Sequence, residues 1–188
     1  MLMVNQLIGF GVAGSSVQTF GTVYSATLTS DNNGLTGLTT AGTLAAASMT
    51  VPGGTPTQIR FTAEAGSSEA LTISAMTVGH KGAGDAYDFA ATPVTVTFDG
   101  GSATKVITAG NSAISDAVNF AWDKTSDIVW RIYYNGGGSS DMARHLLSGT
   151  GISSNYKVGN ATTTVDETGF TSDAAHLYAV NKIETDGF

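Results

Sequence analysis

Two runs constrain this chain more than any other part of it: Gln58-Ile59-Arg60-Phe61-Thr62-Ala63-Glu64 and Asp127-Ile128-Val129-Trp130-Arg131-Ile132-Tyr133-Tyr134. Both change character on a two-residue period, and both are bounded by turn residues. Successive side chains of a strand point to opposite faces, so such a run turns one face to a core and one away. Further runs of this kind, separated by glycine-rich turns, predict an all-β sandwich. The 24 glycines suit a chain that reverses often. A length of 188 residues fits one domain with room for a core. Hydrophobic content of 41% excludes a disordered chain, and charged content of 12% leaves solubility to hydroxyls and amides.

The first strand is predicted over Phe20 to Thr29 and is broken by Asp31-Asn32-Asn33-Gly34. A Gly-, Thr- and Ala-rich loop then leads to a strand around Leu44 to Val51, closed by Pro52-Gly53-Gly54-Thr55-Pro56. Ile59, Phe61 and Ala63 share one face of the next strand. Leu71, Ile73 and Ala75 share a face of its antiparallel neighbour, which ends near Val78. Residues 79–93 form a long polar excursion before Val94, Val96 and Phe98 resume the strand period. Asp99-Gly100-Gly101 is a hairpin signal, followed by strands at Val106 to Thr108 and at Val118 to Trp122. In the strongest strand Ile128, Trp130, Ile132 and Tyr134 share one side and Val129, Arg131 and Tyr133 the other. The segment from Asp141 to Leu147 reads as a helical turn or a strand.

Four stretches follow in a characteristic order: Ile59-Arg60-Phe61-Thr62-Ala63-Glu64-Ala65-Gly66, Leu71-Thr72-Ile73-Ser74-Ala75-Met76-Thr77-Val78, Val94-Thr95-Val96-Thr97-Phe98-Asp99-Gly100-Gly101 and Ala109-Gly110-Asn111-Ser112-Ala113-Ile114-Ser115-Asp116. Residues 57–158 thereby resemble the jelly-roll domain that precedes the catalytic domain in bacterial SGNH (GDSL-type) esterases. The resemblance implies an antiparallel jelly-roll β-sandwich and places Tyr156 on a further strand. It carries over no catalytic residue, because no Gly-Asp-Ser block follows. Ser67 and Ser68 sit in a hairpin turn without His and Asp at triad spacing, so no enzyme is expected. The expected organisation is an arm or edge strand over 1–18, the sandwich over 19–184 and a tail over 185–188.

A net charge of −7 and eight scattered Lys and Arg argue against nucleic acid and against an anionic membrane surface. No run approaches the roughly 20 apolar residues that span a bilayer. Zero cysteines exclude disulfides and thiolate metal sites. The N-terminal segment lacks a basic stretch and is interrupted by Gly9, Gly11 and Gly14, so no signal peptide is expected. Val4, Leu7, Ile8 and Phe10 there read as an extended arm that needs a neighbouring surface, or as a first edge strand of the same domain.

The binding candidates are few. Tyr87, Trp122, Tyr133 and Tyr134 supply flat faces of the kind that stack on sugars. Trp130 and Tyr134 share the expected core side, which leaves Tyr87 and Tyr133 as the exposed aromatics and Tyr87, Asp88 and Tyr133 as the candidate glycan-binding residues. Asp31, Asn32 and Asn33, or Asp85 with Asp88 or Asp99, offer oxygen ligands, yet none completes a calcium loop and a glycine-capped turn explains Asp31 and Asn33 equally well. Calcium is therefore the one cofactor considered, and no cofactor is expected. His80, His145 and His176 lie far apart in sequence and support no zinc site unless folding joins them.

An acidic, Gly/Thr/Ala-rich sandwich with an apolar N-terminal arm and no reactive cluster resembles the decoration, cement and appendage proteins of tailed-phage virions. That resemblance implies a non-enzymatic protein of the virion. Its partner would be a protein lattice such as the major capsid protein, bound through the arm in a symmetric, trimeric or pentameric homo-oligomer. The competing expectations are a lectin-like carbohydrate-binding module for a surface glycan and an accessory domain of an esterase.

Overall fold

The computed structural model describes residues 18–32, 34–135, 141, 143–147, 151–173 and 176–188. Within them the chain is all-β and antiparallel. Strands are numbered in chain order. One sheet contains β1 (Gly21–Ser25), β4 (Gln58–Glu64), β8 (Ser112–Ile114), β9 (Val118–Asn119) and β15 (Val180–Thr185), in the order β1-β15-β4-β8 with β9 also on β4. The largest contains β3 (Leu38–Leu44), β5 (Leu71–His80), β6 (Val94–Thr95), β7 (Lys105–Ile107), β10 (Ile128–Tyr134), β12 (Ile152–Val158) and β13 (Thr171–Ser172). Its order is β13-β12-β3-β10-β5-β6, with β7 also on β5. A three-stranded sheet, β14-β11-β2, joins β2 (Ser30–Asn32), β11 (Ala143–Leu147) and β14 (His176–Tyr178).

The two larger sheets bury their facing sides in one apolar core. Ile59, Phe61, Ala63 and Ile183 come from the first, and Leu44, Met76, Val78, Ile128, Trp130 and Ile132 from the second. The Phe61 and Trp130 rings meet across the layers at 6.2 Å between centroids. Trp130 needs a partner without a side chain beside it, because a Cβ on Gly42 of β3 would stand 2.3 Å from its indole. The Asp99-Gly100-Gly101 turn forms as the dipeptide signal predicts, with φ of 53°, 81° and 122°, and the Asp116 carboxylate accepts the amides of Gly100 and Gly101.

The second strand of the chain departs from expectation. Leu44 to Val51 is not a strand; β3 ends at Leu44, and Ala46–Ser48 form a short 3-10 turn. The first strand is also shorter than the predicted 20–29, ending at Ser25. The misplaced second strand has a cause in burial. The large sheet is covered on both faces, so Thr39, Thr40, Ala41 and Thr43 are all buried and β3 shows no alternation. Buried threonines need partners: Thr39 Oγ1 donates to the Gly159 carbonyl at 2.6 Å, Thr77 Oγ1 to Thr162 at 2.7 Å, and Thr43 Oγ1 to Ala86. These carbonyls belong to residues 81–92 and 159–170, the two segments that lie over the sheet.

The predicted tail is in part built into the fold. Thr185 pairs with both Gly21 and Ile59, and the buried Asp186 carboxylate accepts the amides of Thr57 and Gln58 at 2.7 and 2.8 Å. No helix among the described residues is long and apolar enough to cross a membrane.

Candidate functional site

Two places gather polar chemistry. The first is the outer face of the large sheet, where Arg131 on β10 is wholly buried. Its Nε and Nη2 donate to the Tyr87 carbonyl at 3.1 and 2.6 Å, and its Nη1 donates to Ala161 and Thr164 at 2.7 and 2.6 Å. Phe89 stacks over the guanidinium at 4.4 Å, and Asp88 lies 3.9 Å away. Burial pulls the guanidinium below its ordinary pKa, and the charge of Asp88 opposes that. One side chain therefore fastens two covering segments to the sheet. These four hydrogen bonds all run to backbone carbonyls, which is the arrangement of a structural clamp.

Tyr87 and Asp88 belong to this clamp. Both are buried, at 8% and 4% exposure, which corrects the expectation that Tyr87 is exposed. Tyr87 packs on Phe170 at 4.5 Å, and its hydroxyl donates to Asp85. That bond, with burial and nearby carboxylates, pushes the phenol up to about 12. Asp88 accepts the amides of Asp85 and Glu167. Tyr133 is half-buried on the same face, while Trp122 and Tyr134 are core.

The second place is the junction of the three-stranded sheet with β3 and β12. Pairing of β11 with β14 sets His145 opposite Tyr178 and brings the His145 and His176 rings within 4.9 Å. The Tyr178 hydroxyl accepts from Asn32 Nδ2 at 3.2 Å and donates to Asp173 Oδ2 at 2.6 Å. Asp173 Oδ1 lies 2.7 Å from His176 Nδ1. A hydroxyl, a carboxylate and an imidazole are thus in bonding reach, with the carboxylate in the middle. Nucleophilic catalysis needs the imidazole in that place, as base to the hydroxyl. Burial first, then the hydrogen bond to Asp173, raise the Tyr178 pKa well above the ordinary phenol, which keeps the proton on oxygen. The cluster holds geometry; it does not activate a nucleophile. A cavity of about 280 Å³ opens beside it, between Asn32, Leu35, Leu38, Tyr156, Asp173 and Tyr178.

The other sequence candidates fall as follows. Val4, Leu7, Ile8, Phe10 and Asn33 lie outside the described residues. Asp31 Oδ2 accepts the Ser67 amide and hydroxyl at 3.0 and 2.5 Å, and Arg144 faces its other oxygen at 3.2 Å. The Ser67 bonds lower its pKa despite partial burial. Asp99 is paired with Lys105 at 2.8 Å. Among the described residues no three carboxylate or imidazole groups converge on one point as a metal would require.

The chain matches no family model, and no curated protein is similar to it in sequence. Its chemistry must then be argued from its own geometry. The clamp and the junction both escaped the sequence reading, because each joins residues more than 25 positions apart through pairings that the two-residue period does not encode. The signal that was present is Arg131 itself, a lone cation amid Val129, Trp130, Ile132 and Tyr134.

Proposed function

We propose that this chain is a non-enzymatic jelly-roll module that attaches to a protein lattice, as a decoration or appendage component of a phage virion. The jelly-roll reading is supported by strand order. Taking β6 with β7 and β8 with β9 as single strands that bend, the eight main strands run first-eighth-third-sixth in one sheet and second-seventh-fourth-fifth in the other. Two interleaved Greek keys give that order. β12, β13 and the three-stranded sheet are then additions between the seventh and eighth strands and at the rim.

One observation supports the attachment reading: among the described residues β1 is an edge strand of its sheet, paired with β15 and touched on its other side by the Thr50 amide at the Val23 carbonyl, and it follows the apolar N-terminal segment in the chain. A groove of about 430 Å³ lies at that edge between Thr22 to Ser25 of β1 and the residues Ser48 and Thr50. An edge strand that follows an apolar segment in the chain is suited to strand exchange with a neighbouring copy or a lattice subunit. The buried ions point the same way, since Arg131 and Asp186 are spent on holding segments together.

The test is cosedimentation with capsid shells of the phage that encodes the chain, using the whole protein and a variant lacking residues 1–16. Saturable binding that the deletion abolishes, with the circular dichroism spectrum unchanged, is the expected result. Equal binding by both, or none by either, removes the lattice reading. Sedimentation velocity on the whole protein checks the expected homo-oligomer.

A further inference from the structure

We propose that the cavity beside Tyr178 is a binding site for one neutral pyranose ring. It lies at a different place from the Tyr87, Asp88 and Tyr133 set, and it does not depend on attachment to a lattice. Five segments converge on it: Asn32 from β2, Leu35 from the following turn, Leu38 from β3, Tyr156 from β12, and Asp173 with Tyr178 from the return to β14. Its volume of about 280 Å³ is at the lower limit of ligand pockets, which run from about 300 to 1,000 Å³, so it takes a single ring.

The lining selects the class. Leu35, Leu38 and the two tyrosine rings give an apolar floor and wall, while Asn32 and Asp173 supply an amide and a carboxylate at one side. A sugar ring has the matching character, with a C–H face that packs on an aromatic side chain and vicinal hydroxyls at its edge. Tyr156 is 37% exposed, so its ring is accessible at the lip of the cavity. Each carboxylate oxygen accepts more than one donor, so Asp173 takes sugar hydroxyls in addition to the groups that orient it.

Preorganisation favours binding. The chain Asn32 Nδ2 to Tyr178 hydroxyl to Asp173 Oδ2, with His176 on Oδ1, fixes both polar groups before a ligand arrives. Fixed groups lose little freedom on association, which is where small ligands otherwise forfeit affinity. Of the residues lining the cavity only Asp173 carries a charge, so an organic cation is the competing ligand and serves as the control. An anion is opposed by that carboxylate and by the chain's net charge of −7.

Saturation-transfer NMR on the whole protein tests this, with the methyl glycosides of glucose, galactose, mannose and N-acetylglucosamine as probes and tetramethylammonium as the control cation. At least one glycoside is expected to receive saturation through its ring protons and to titrate to saturation. Tyr156→Ala should weaken it about tenfold, a loss of about 1.4 kcal/mol, with the thermal midpoint little changed. Asp173→Asn should weaken it also. No signal from any glycoside, binding that survives Tyr156→Ala unchanged, or binding of tetramethylammonium in place of the sugars each overturns the proposal.

Discussion

Arg131 shows how much of this fold rests on one side chain. Its guanidinium satisfies three carbonyls, those of the buried Tyr87 and Ala161 and that of Thr164 at the surface, and faces the buried Asp88. Removing one partner of such a cluster leaves the rest desolvated and unpaired, which costs about 3–5 kcal/mol. Arg131→Met keeps the volume and should lower stability by that amount in urea denaturation. Arg131→Lys should recover only part, because an ammonium cannot span both segments as the planar fork does. A loss below about 1 kcal/mol for Arg131→Met would show that the two segments hold without the clamp. Asp186 makes a separable case. Burial raises its pKa, yet the bonds from Thr57, Gln58 and Gln18 outweigh that and hold it below the ordinary carboxylate range. A carboxylate lowered on folding stabilises above its unfolded pKa of about 3.9 and loses that contribution as pH falls through the folded value. Asp186→Asn should cost about 1.5–3 kcal/mol at pH 7 and progressively less below pH 4. An equal cost at pH 7 and pH 3 would contradict the electrostatic account.

At the scale of elements, legibility followed burial. β4 and β10 were readable because each keeps core residues on one side, and the observed bounds Gln58–Glu64 and Ile128–Tyr134 match the runs that announced them. β3 was not, since Thr39 to Thr43 are buried on both sides and small side chains carry no period. The outer face of β10 looked solvent-facing for the same reason: its cover comes from residues 81–92 and 159–170, and the pattern of a strand does not report what lies over it. The junction was illegible because His145 and His176 meet only through the β11–β14 register. That small sheet has a pH dependence of its own. Burial lowers the His145 pKa and the facing His176 adds to this, while Asp31 and Asp173 oppose it. A histidine lowered on folding stays neutral in the native state while the unfolded chain takes up the proton. Stability is therefore full above about pH 6.5 and declines as pH falls below it. Thermal midpoints between pH 7.5 and 5.0 should fall more steeply for the natural chain than for His145→Gln, and equal slopes would remove His145 as the cause.

The whole molecule is closed by its last strand. β15 lies between β1 and β4, so the two ends of the described chain are neighbours in one sheet and the core is incomplete until the C-terminal residues arrive. Contacts of such sequence separation form late and slowly, because the loop entropy is lost before they reward it. The final residues contribute more than pairing. Gly54 donates its amide to the Gly187 carbonyl at 2.7 Å, Asp186 fixes the start of β4, and the half-exposed Phe188 ring covers Gly21. Removing residues 185–188 deletes the Thr185 pairings on both flanks together with the Asp186 bonds. Against a usual domain stability of about 5–15 kcal/mol, that loss should leave the chain largely unfolded at 37 °C. Removing Phe188 alone takes away one partly exposed ring and should shift stability by only about 1 kcal/mol. Far-UV circular dichroism and urea titration of the two truncations decide the matter. If the chain ending at Glu184 kept a single cooperative transition within about 1 kcal/mol of the full one, the terminal residues would be the appended tail that their sequence suggests, and closure of the sheet would have to rest on Val180 to Glu184 alone.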